Sequence, residues 1–445
     1  MLLLGAQLVA AAALLVAAAG AVQATIQCSS QDYDCAQCLV TNDTRPVWAS
    51  PCLWLSGPVD GGHRCAPAKW WNPPYAAGKK YPTVHPCSSC GGAACQPPPP
   101  PPPCTAASRA ECWSGTWTAA PKQVPSSKSV DGPLLGNGDI GVVLGVGQQG
   151  SNLTLTYYVS KNDFWFFQND NVPGRPDGNA SYVMGIGGVD LSFPTGSSLV
   201  SLGQNIQLGE ISATVALPSG GGNVSATSFV SIGGVLITNL HLSSSSRDNH
   251  AAELTAAVAV ATWTFSSGRA SGVAGATQGA TVAWATRSTQ APTSRPVQAA
   301  LATVVDTASV LSPSPPPLSN RAAAPPQLVT LTTPSPAATV ITAVASSIDV
   351  GSIPKTKPYA ISTATKTLAG GKAELARLRS SVRSFYGSYW NQSSISLPTQ
   401  PDFERFWWQS LYVLAACNRE GKLAPGLWGS WLTTDSPAWH GDCKS

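Results

Sequence analysis

Short segments in which apolar and polar residues alternate occupy most of residues 131–304. Residues 153–159 and 211–215 are rich in the β-branched and aromatic side chains that strands favour. A similar segment alternates on both sides of Gly233-Gly234, which is a two-residue hairpin signal. Many short strands, separated by glycine turns and with little helical periodicity, predict a β-sandwich domain over residues 113–350.

The pattern becomes helical in the last part of the chain. In residues 372–390, apolar side chains recur every three or four positions. A second helix is predicted to begin near Asp402, an N-cap candidate after Pro401, and to continue toward Cys417. The predicted fold class is therefore mainly β, with a C-terminal α part at residues 371–445.

Two aromatic-rich helices cannot bury both of their faces alone. We therefore expect them to be the first members of a larger helical array that this chain does not complete. In such an array the C-terminal end is expected to be partly misfolded, because it exposes a large aromatic patch. The side chains expected in that patch are Phe406, Trp407, Trp408 and Tyr412.

Three segments have no core-forming pattern. Residues 1–24 are apolar and uncharged and end in small residues, which predicts a cleaved secretory signal peptide, with a membrane anchor as the alternative. The proline run at 97–103 predicts an extended, stiff spacer within a linker at 97–112. The proline-rich segment 309–327 is predicted to be a disordered insertion in the sandwich domain.

Ten of the twelve cysteines precede residue 113, a density typical of proteins from oxidising compartments. This favours a disulfide-bonded module at 25–96 in a secreted, extracellular protein of a cell wall or matrix. A zinc site formed by the pairs Cys35/Cys38 and Cys87/Cys90 is the alternative. The cysteines predicted to form disulfides are Cys28, Cys35, Cys38, Cys52, Cys65, Cys87, Cys90, Cys95, Cys104 and Cys112.

Five Asn-x-Ser/Thr sequons agree with an extracellular route, and we predict that they carry N-glycans. They are Asn42, Asn152, Asn179, Asn223 and Asn391. Charged residues make up 11% of the chain, against about 25% in an average globular protein. The net charge of +4 is spread thinly, without the basic stripe that nucleic-acid binding requires. No stable membrane insertion is expected after cleavage of the leader.

Three short segments carry candidate chemistry: 135–141 (LGNGDIG), 160–167 (SKNDFWFF) and 423–442, which contains three tryptophans among Gly, Pro, Asp and His. Taken alone, the first is a turn, and the second also fits a strand end with core aromatic residues. Tryptophan rings can stack on the apolar faces of sugars, while Asn and Asp bind hydroxyl groups. The predicted substrate-binding residues are Asn162, Asp163, Trp165, Trp428, Trp431, Asp435, Trp439, His440 and Asp442.

Together these segments resemble glycoside hydrolase family 95, the α-L-fucosidase-type enzymes. Residues 135–141 and 161–165 are similar to that family's "GNG" turn and "N-E/D-x-x-W" corner. Residues 424–429 and 437–439 are similar to its "NLQGIWN…PPW" loop. The resemblance covers about residues 114–442. It implies a β-super-sandwich, a helical linker and an (α/α)6 barrel, a plan that kojibiose and maltose phosphorylase-type families share.

The resemblance implies a carbohydrate-active protein that acts on an oligosaccharide or cell-wall glycan without a metal or organic cofactor. In the family, an Asn-x-Asn pair and a later general-acid Glu carry out hydrolysis with inversion. No position up to Ser445 matches either group, so no catalytic residue is assigned and this chain is expected to be inactive. The resemblance implies that Asp435 and Asp442 take part in substrate binding or in support of the loop, not in catalysis. A non-catalytic glycan-binding or matrix protein is the alternative.

The N-terminal cysteines also resemble a known module. Cys28, the Cys35/Cys38 pair, Cys52 and Cys65 are spaced as in the plexin–semaphorin–integrin module, a small disulfide-bonded domain of extracellular proteins. One half-cystine of that module is replaced by Leu55, so the resemblance implies a disulfide framework without fixing its connectivity.

Overall fold

The protein divides into two compact units, Met1–Pro103 and Cys104–Ser445. The computed structural model describes residues 42–43, 50–55, 65–67, 84–85, 109–149, 151–167, 181–243, 254–261, 269–277, 282–290, 295–306, 311–312, 327–333 and 336–441. The predicted signal peptide at 1–24 and proline run at 97–103 lie outside these ranges. None of the helices described is both long and apolar enough to span a bilayer.

The described part of the first unit is a small antiparallel sheet. Its central strand, β2, pairs with each of the other three. The strands are β1 (Asn42–Asp43), β2 (Ser50–Leu55), β3 (Cys65–Pro67) and β4 (Val84–His85). Most of the predicted disulfide cysteines lie outside the described residues, and the disulfide module stays a prediction.

The second unit begins with the short helix α1 (Arg109–Cys112) and contains two large antiparallel sheets. The described strands of the first sheet run in the order β15-β16-β17-β20-β13-β12-β11-β10-β5. They are β5 (Gly115–Trp117), β10 (Ser198–Asn205), β11 (Glu210–Ala216), β12 (Asn223–Val230), β13 (Val235–Ser243), β15 (Ala270–Ala276), β16 (Ala283–Thr289), β17 (Gln298–Val305) and β20 (Ala337–Ser346).

The second sheet runs in the order β18-β19-β14-β9-β8-β7-β6 over its described strands. They are β6 (Leu134–Gly136), β7 (Ile140–Gln149), β8 (Asn152–Phe167), β9 (Ser181–Ser192), β14 (Leu254–Ala261), β18 (Leu311–Ser312) and β19 (Gln327–Thr333). The predicted strands at 153–159 and 211–215 lie within β8 and β11, and the hairpin at Gly233-Gly234 joins β12 to β13. The mainly β fold with a C-terminal α part is confirmed.

The centre of the first sheet is buried on both faces. In β20, Val340 and Val344 belong to the core between the two sheets, whereas Ile341, Ala343 and Ala345 belong to a second core on the opposite face. This second core is shared with the helices that follow β20. Burial on both faces explains why β20 is an almost continuous apolar segment rather than an alternating one.

Two helices directly after β20 are absent from the sequence prediction. The short helix α2 (Ser347–Val350) begins with a capping box between Ser346 and Asp349. The longer α3 (Ile353–Ala369) packs on the outer face of the first sheet through small side chains such as Ala360 and Ala364. Prolines near the start of α3 and inside it obscure the helical pattern in the sequence.

The two predicted C-terminal helices are confirmed as α4 (Gly371–Trp390) and α5 (Pro401–Cys417). Asp402 lies in the first turn of α5 rather than at its N-cap, which is Gln400. The expected aromatic patch is only partly correct. Phe406 is exposed, whereas Trp408 and Tyr412 are buried, because their rings pack against Trp390 and Tyr386 of α4.

Among the predicted glycosylation sites, Asn223 and Asn391 are exposed. Asn152 is half-buried, and its side-chain oxygen accepts a hydrogen bond from Thr195. Asn42 lies in β1, and Asn179 lies outside the described residues. Glycosylation at these positions stays a prediction.

Candidate functional site

The GNGDIG segment forms the turn between β6 and β7. The Asn137 side chain stabilises this turn by accepting hydrogen bonds from the backbone N–H groups of Asp139 (3.1 Å) and Ile140 (2.8 Å). Its amide donates to the carbonyl of Ser231 on the neighbouring sheet (2.9 Å). Gly138 takes a left-handed conformation with φ of 81°, which favours glycine. The prediction of a turn is confirmed.

The glycines of this turn allow the β-sandwich to contact the C-terminal part of the chain at backbone distance. The Gly138 N–H donates to the carbonyl of Ala416 at the end of α5 (2.8 Å). A Cβ atom at Gly136 would lie 2.1 Å from that same carbonyl oxygen. A Cβ at Gly141 would lie 1.9 Å from the carbonyl oxygen of Ser430. The turn is therefore a packing surface for α5 and the loop that follows it.

Asn162 of the second segment is 1% exposed, and both Nδ2 and Oδ1 of its side-chain amide form hydrogen bonds. Its Nδ2 donates to the carbonyls of Gly138 (3.3 Å), Cys417 (3.0 Å) and Leu423 (3.0 Å). Its Oδ1 accepts from the Ser430 hydroxyl (2.6 Å). Asn162 thus joins the β6–β7 turn, the end of α5 and the C-terminal loop.

A cluster of five charged side chains lies beside Asn162. The Lys161 ammonium contacts carboxylate oxygens of Asp139 (2.9 Å), Asp163 (2.6 Å) and Asp349 (3.3 Å). Lys422, from the C-terminal loop, contacts Asp139 (2.9 Å) and Asp349 (3.0 Å). The cluster therefore connects the second sheet, helix α2 and the C-terminal loop.

Burial and pairing act in opposite directions on these groups. Burial raises the pKa of Asp163, and the favourable charge of Lys161 only partly offsets it. For Lys161, burial would lower the pKa, but the carboxylates of Asp163, Asp139 and Asp349 raise it further than burial lowers it. Asp163 Oδ1 is buried and has no hydrogen-bond partner within the part of the chain that the structure describes. Asp163 is therefore the least well stabilised carboxylate of the cluster.

Residues 431–435 of the C-terminal loop are largely buried against the sandwich. The Trp431 indole N–H donates to the carbonyl of Leu135 (2.7 Å), and its ring is buried. Asp435 is 0% exposed and forms a two-point ion pair with Arg287 of β16. Arg287 also donates to the carbonyl of Gly185 on β9. These predicted sugar-binding residues have protein partners in the interior.

Trp428 and Trp439 lie before and after this buried segment in the sequence, and their rings meet at the surface. The rings of Trp428 and Trp439 are stacked, with centroids 5.6 Å apart and an interplanar angle of 16°. The Trp428 indole N–H donates to the carbonyl of Ala438 (2.9 Å), whereas Trp439 is 69% exposed. Trp439 has φ of 52°, a left-handed conformation that is unusual for a bulky residue and is often found at functional sites.

Trp165 lies on the same side of the second sheet as this stack. It is half-buried, and its cross-strand neighbour is Val183 of β9. Cross-strand neighbours point to the same face of a sheet. Val183 also lies close to the C-terminal loop. A Cβ atom built at Gly426 would lie 2.9 Å from its Cγ2, and one built at Gly441 would lie 3.8 Å from its Cβ. Each of these glycines is two residues from a tryptophan of the stack. Trp165, Trp428 and Trp439 therefore flank one surface region.

The structure separates the predicted site residues into two groups. Trp428 and Trp439 are at the surface with Trp165 on the same side, while Asn162, Asp163, Trp431 and Asp435 are buried. His440 lies in the 3₁₀ helix Ala438–Gly441, and Asp442 lies outside the described residues.

Arg287 is absent from the sequence prediction, although its place on an apolar strand face could have indicated a buried ion pair. It shares the strand face of Ala283 and Ala285, both of which are core residues. An arginine at such an inward position requires a buried partner.

A comparison with protein-family models gives no match, and a comparison with curated proteins also gives none. Among solved structures, the chain is similar to a protein described as "Putative kojibiose phosphorylase from human microbiome", with 9% identity and a TM-score of 0.44. The match covers 64% of this chain and 39% of that protein. The chain thus spans about two fifths of the phosphorylase's length.

Proposed function

We propose that this protein is a carbohydrate-active protein that binds an oligosaccharide or cell-wall glycan at the Trp428–Trp439 stack. The stack carries the proposal, because Trp439 is 69% exposed in a pair of nearly parallel rings and such rings bind the apolar faces of sugars. The three segments that resemble α-L-fucosidase-type glycoside hydrolases support the same ligand class. Asp435, the carboxylate nearest to the stack in sequence among the described residues, is buried in an ion pair, which favours binding over catalysis.

The proposal is tested by glycan binding to the purified full-length chain, with fucosylated and cell-wall oligosaccharides as probes. Trp439→Ala removes the exposed ring, and we expect the affinity to fall about tenfold, the equivalent of ~1.4 kcal/mol of stacking. Phe406→Ala is the matched control, because Phe406 is 66% exposed but lies on α5. Equal affinities of wild type and Trp439→Ala for every bound glycan would contradict the proposal.

The same samples distinguish a binding protein from a hydrolase of the fucosidase type. Release of fucose from the fucosylated probes is measured beside binding. Binding without release supports the non-catalytic alternative, whereas release that is lost in Trp439→Ala would extend the proposal to hydrolysis.

We also propose that the protein is secreted as a disulfide-bonded N-glycoprotein, on the basis of its leader, cysteine density and sequons. Expression in a eukaryotic secretory host should give a product in the medium that begins near Thr25. Treatment with an N-glycosidase should lower its mass. A product retained in the cell with Met1 intact would contradict the proposal.

A further inference from the structure

We infer that the buried Arg287–Asp435 ion pair positions the Trp428–Trp439 stack for its ligand. This inference rests on the proposed function and assigns the positioning of the tryptophan stack to a carboxylate for which the sequence leaves substrate contact and loop support open. Asp435 lies between the buried Trp431 and the exposed Trp439, so its position determines where the loop leaves the interior.

Asp435 cannot contact a ligand at the surface. Both side chains of the pair are 0% exposed, and both carboxylate oxygens accept hydrogen bonds from the Arg287 guanidinium. Two parallel hydrogen bonds fix the direction of a carboxylate as well as its distance. Because Arg287 also donates to Gly185 of β9, the pair connects the loop to both sheets.

The backbone of the loop is held at the same point by a second arginine. Arg269 donates from Nη1 to the carbonyl of Asp435 (3.1 Å) and to the Ser436 hydroxyl (3.3 Å). Its guanidinium lies 3.6 Å from the centroid of the Tyr182 ring on β9. The side chain and the carbonyl of Asp435 are therefore bound by two different arginines.

Contacts with residues 126–127 add further restraints on the loop. Thr433 Oγ1 accepts from the N–H of Ser126 (2.8 Å) and donates to its carbonyl (3.0 Å). The Ala438 N–H donates to the carbonyl of Ser127 (2.6 Å). These restraints lie directly before Trp439, whose left-handed backbone persists only while the surrounding structure enforces it. Loss of the ion pair should let the loop relax and separate the two rings.

The test replaces both charges, by Arg287→Met with Asp435→Leu in one chain. Removing both partners avoids an unpaired buried charge, so the double variant should stay folded. Two stacked indoles couple electronically and give an exciton couplet, a pair of circular dichroism bands of opposite sign. The difference between the spectra of wild type and Trp439→Phe isolates the couplet of this pair. We expect the double variant to lose at least half of that couplet and to bind the glycan about tenfold more weakly.

The matched control is a second ion pair, remote from the loop. Glu210 of β11 is paired with Arg379 of α4 (2.7 Å) and also with the half-exposed Arg383 (3.2 Å), which can remain solvated when Glu210 is replaced. Glu210→Leu with Arg379→Met should leave both the couplet and the glycan affinity unchanged. If the Arg287 double variant does not fold, Arg269→Met tests the same loop through its backbone restraint, and the couplet should again decrease.

The outcomes separate this inference from the proposed function. A folded Arg287→Met/Asp435→Leu variant with an unchanged couplet and affinity overturns the positioning role and leaves glycan binding intact. If the wild type binds none of the oligosaccharide probes, glycan binding fails. The couplet then still decides whether the ion pair positions the stack.

Discussion

At the level of single residues, the glycines of the β6–β7 turn have a role that their sequence context does not reveal. The sequence predicts a turn because glycines flank Asn and Asp. It does not predict that Gly136 and Gly141 lie against the carbonyls of Ala416 and Ser430, since those contacts form with residues from the far end of the chain. Local patterns determine turns, whereas close backbone contacts depend on tertiary structure.

Gly141→Ala should therefore destabilise the protein although alanine is acceptable in an isolated strand. Its Cβ would lie 1.9 Å from the Ser430 carbonyl oxygen, so the loop must move away from the sheet. We expect the free energy of unfolding to fall by about 1–3 kcal/mol, as for other overpacked sites. Denaturant unfolding followed by circular dichroism measures the change.

The control for this substitution lies in the same strand. A Cβ at Gly147 of β7 would meet nothing within 4 Å. Gly147→Ala should change the free energy of unfolding by less than about 1 kcal/mol. Equal effects of the two substitutions would show that strand propensity, rather than contact with the loop, determines the cost.

At the level of elements, the sequence predicts β8, β11 and α5 well because each has a strong period or a clear start. Helix α3 is missed because its buried face consists of small side chains, including Ala360 and Ala364, and because Pro358 interrupts it. The roles of Asn162 and Asp435 could not be predicted for a different reason. A polar residue that binds another segment has the same local sequence as one that binds a ligand.

The charge cluster joins several elements, and two of its carboxylates, the buried Asp163 and the partly exposed Asp349, should respond to pH in opposite directions. Burial raises the pKa of Asp163, so its contribution to stability is fully present below its ordinary pKa of 3.8 and is lost as the pH rises through the raised value. Asp163→Asn removes this loss. As the pH rises above 3.8 and through the raised pKa of Asp163, the stability of Asp163→Asn relative to wild type should therefore improve.

Asp349 provides the contrasting variant. Burial would raise its pKa, but Lys161, Lys422 and the Ser346 N–H lower it overall. Its contribution is present above 3.8 and is lost as the pH falls through the lowered value. The advantage of wild type over Asp349→Asn should thus shrink in strong acid. Thermal unfolding at a series of pH values measures both trends, and parallel curves for the two variants would contradict the assignment.

At the level of the whole molecule, the second unit is predicted to unfold as one body. The core on the outer face of the first sheet contains Ile341 of β20, Ala364 of α3, Tyr386 of α4, Trp408 of α5 and Trp431 of the C-terminal loop. A core shared in this way couples the helices to the sheet. From the sequence alone, a partly misfolded C-terminal end is expected, since the helices have no visible partner. The structure shows that the first sheet has a second apolar face, and the helices pack against it.

Trp408→Ala tests this coupling. The ring is buried against Trp390 and Trp407, and its removal should lower the free energy of unfolding by about 3–5 kcal/mol. Because the core is shared, the sheet signal in the far ultraviolet and the aromatic signal in the near ultraviolet should shift together in a single transition. Phe406→Ala, at an exposed position on the same helix, should shift neither signal by more than about 0.5 kcal/mol. In the opposite outcome, Trp408→Ala loses the aromatic signal at low denaturant while its sheet transition stays at the wild-type position. The helices and the sandwich would then be independent. The loop that presents Trp428 and Trp439 would depend on the less stable of the two.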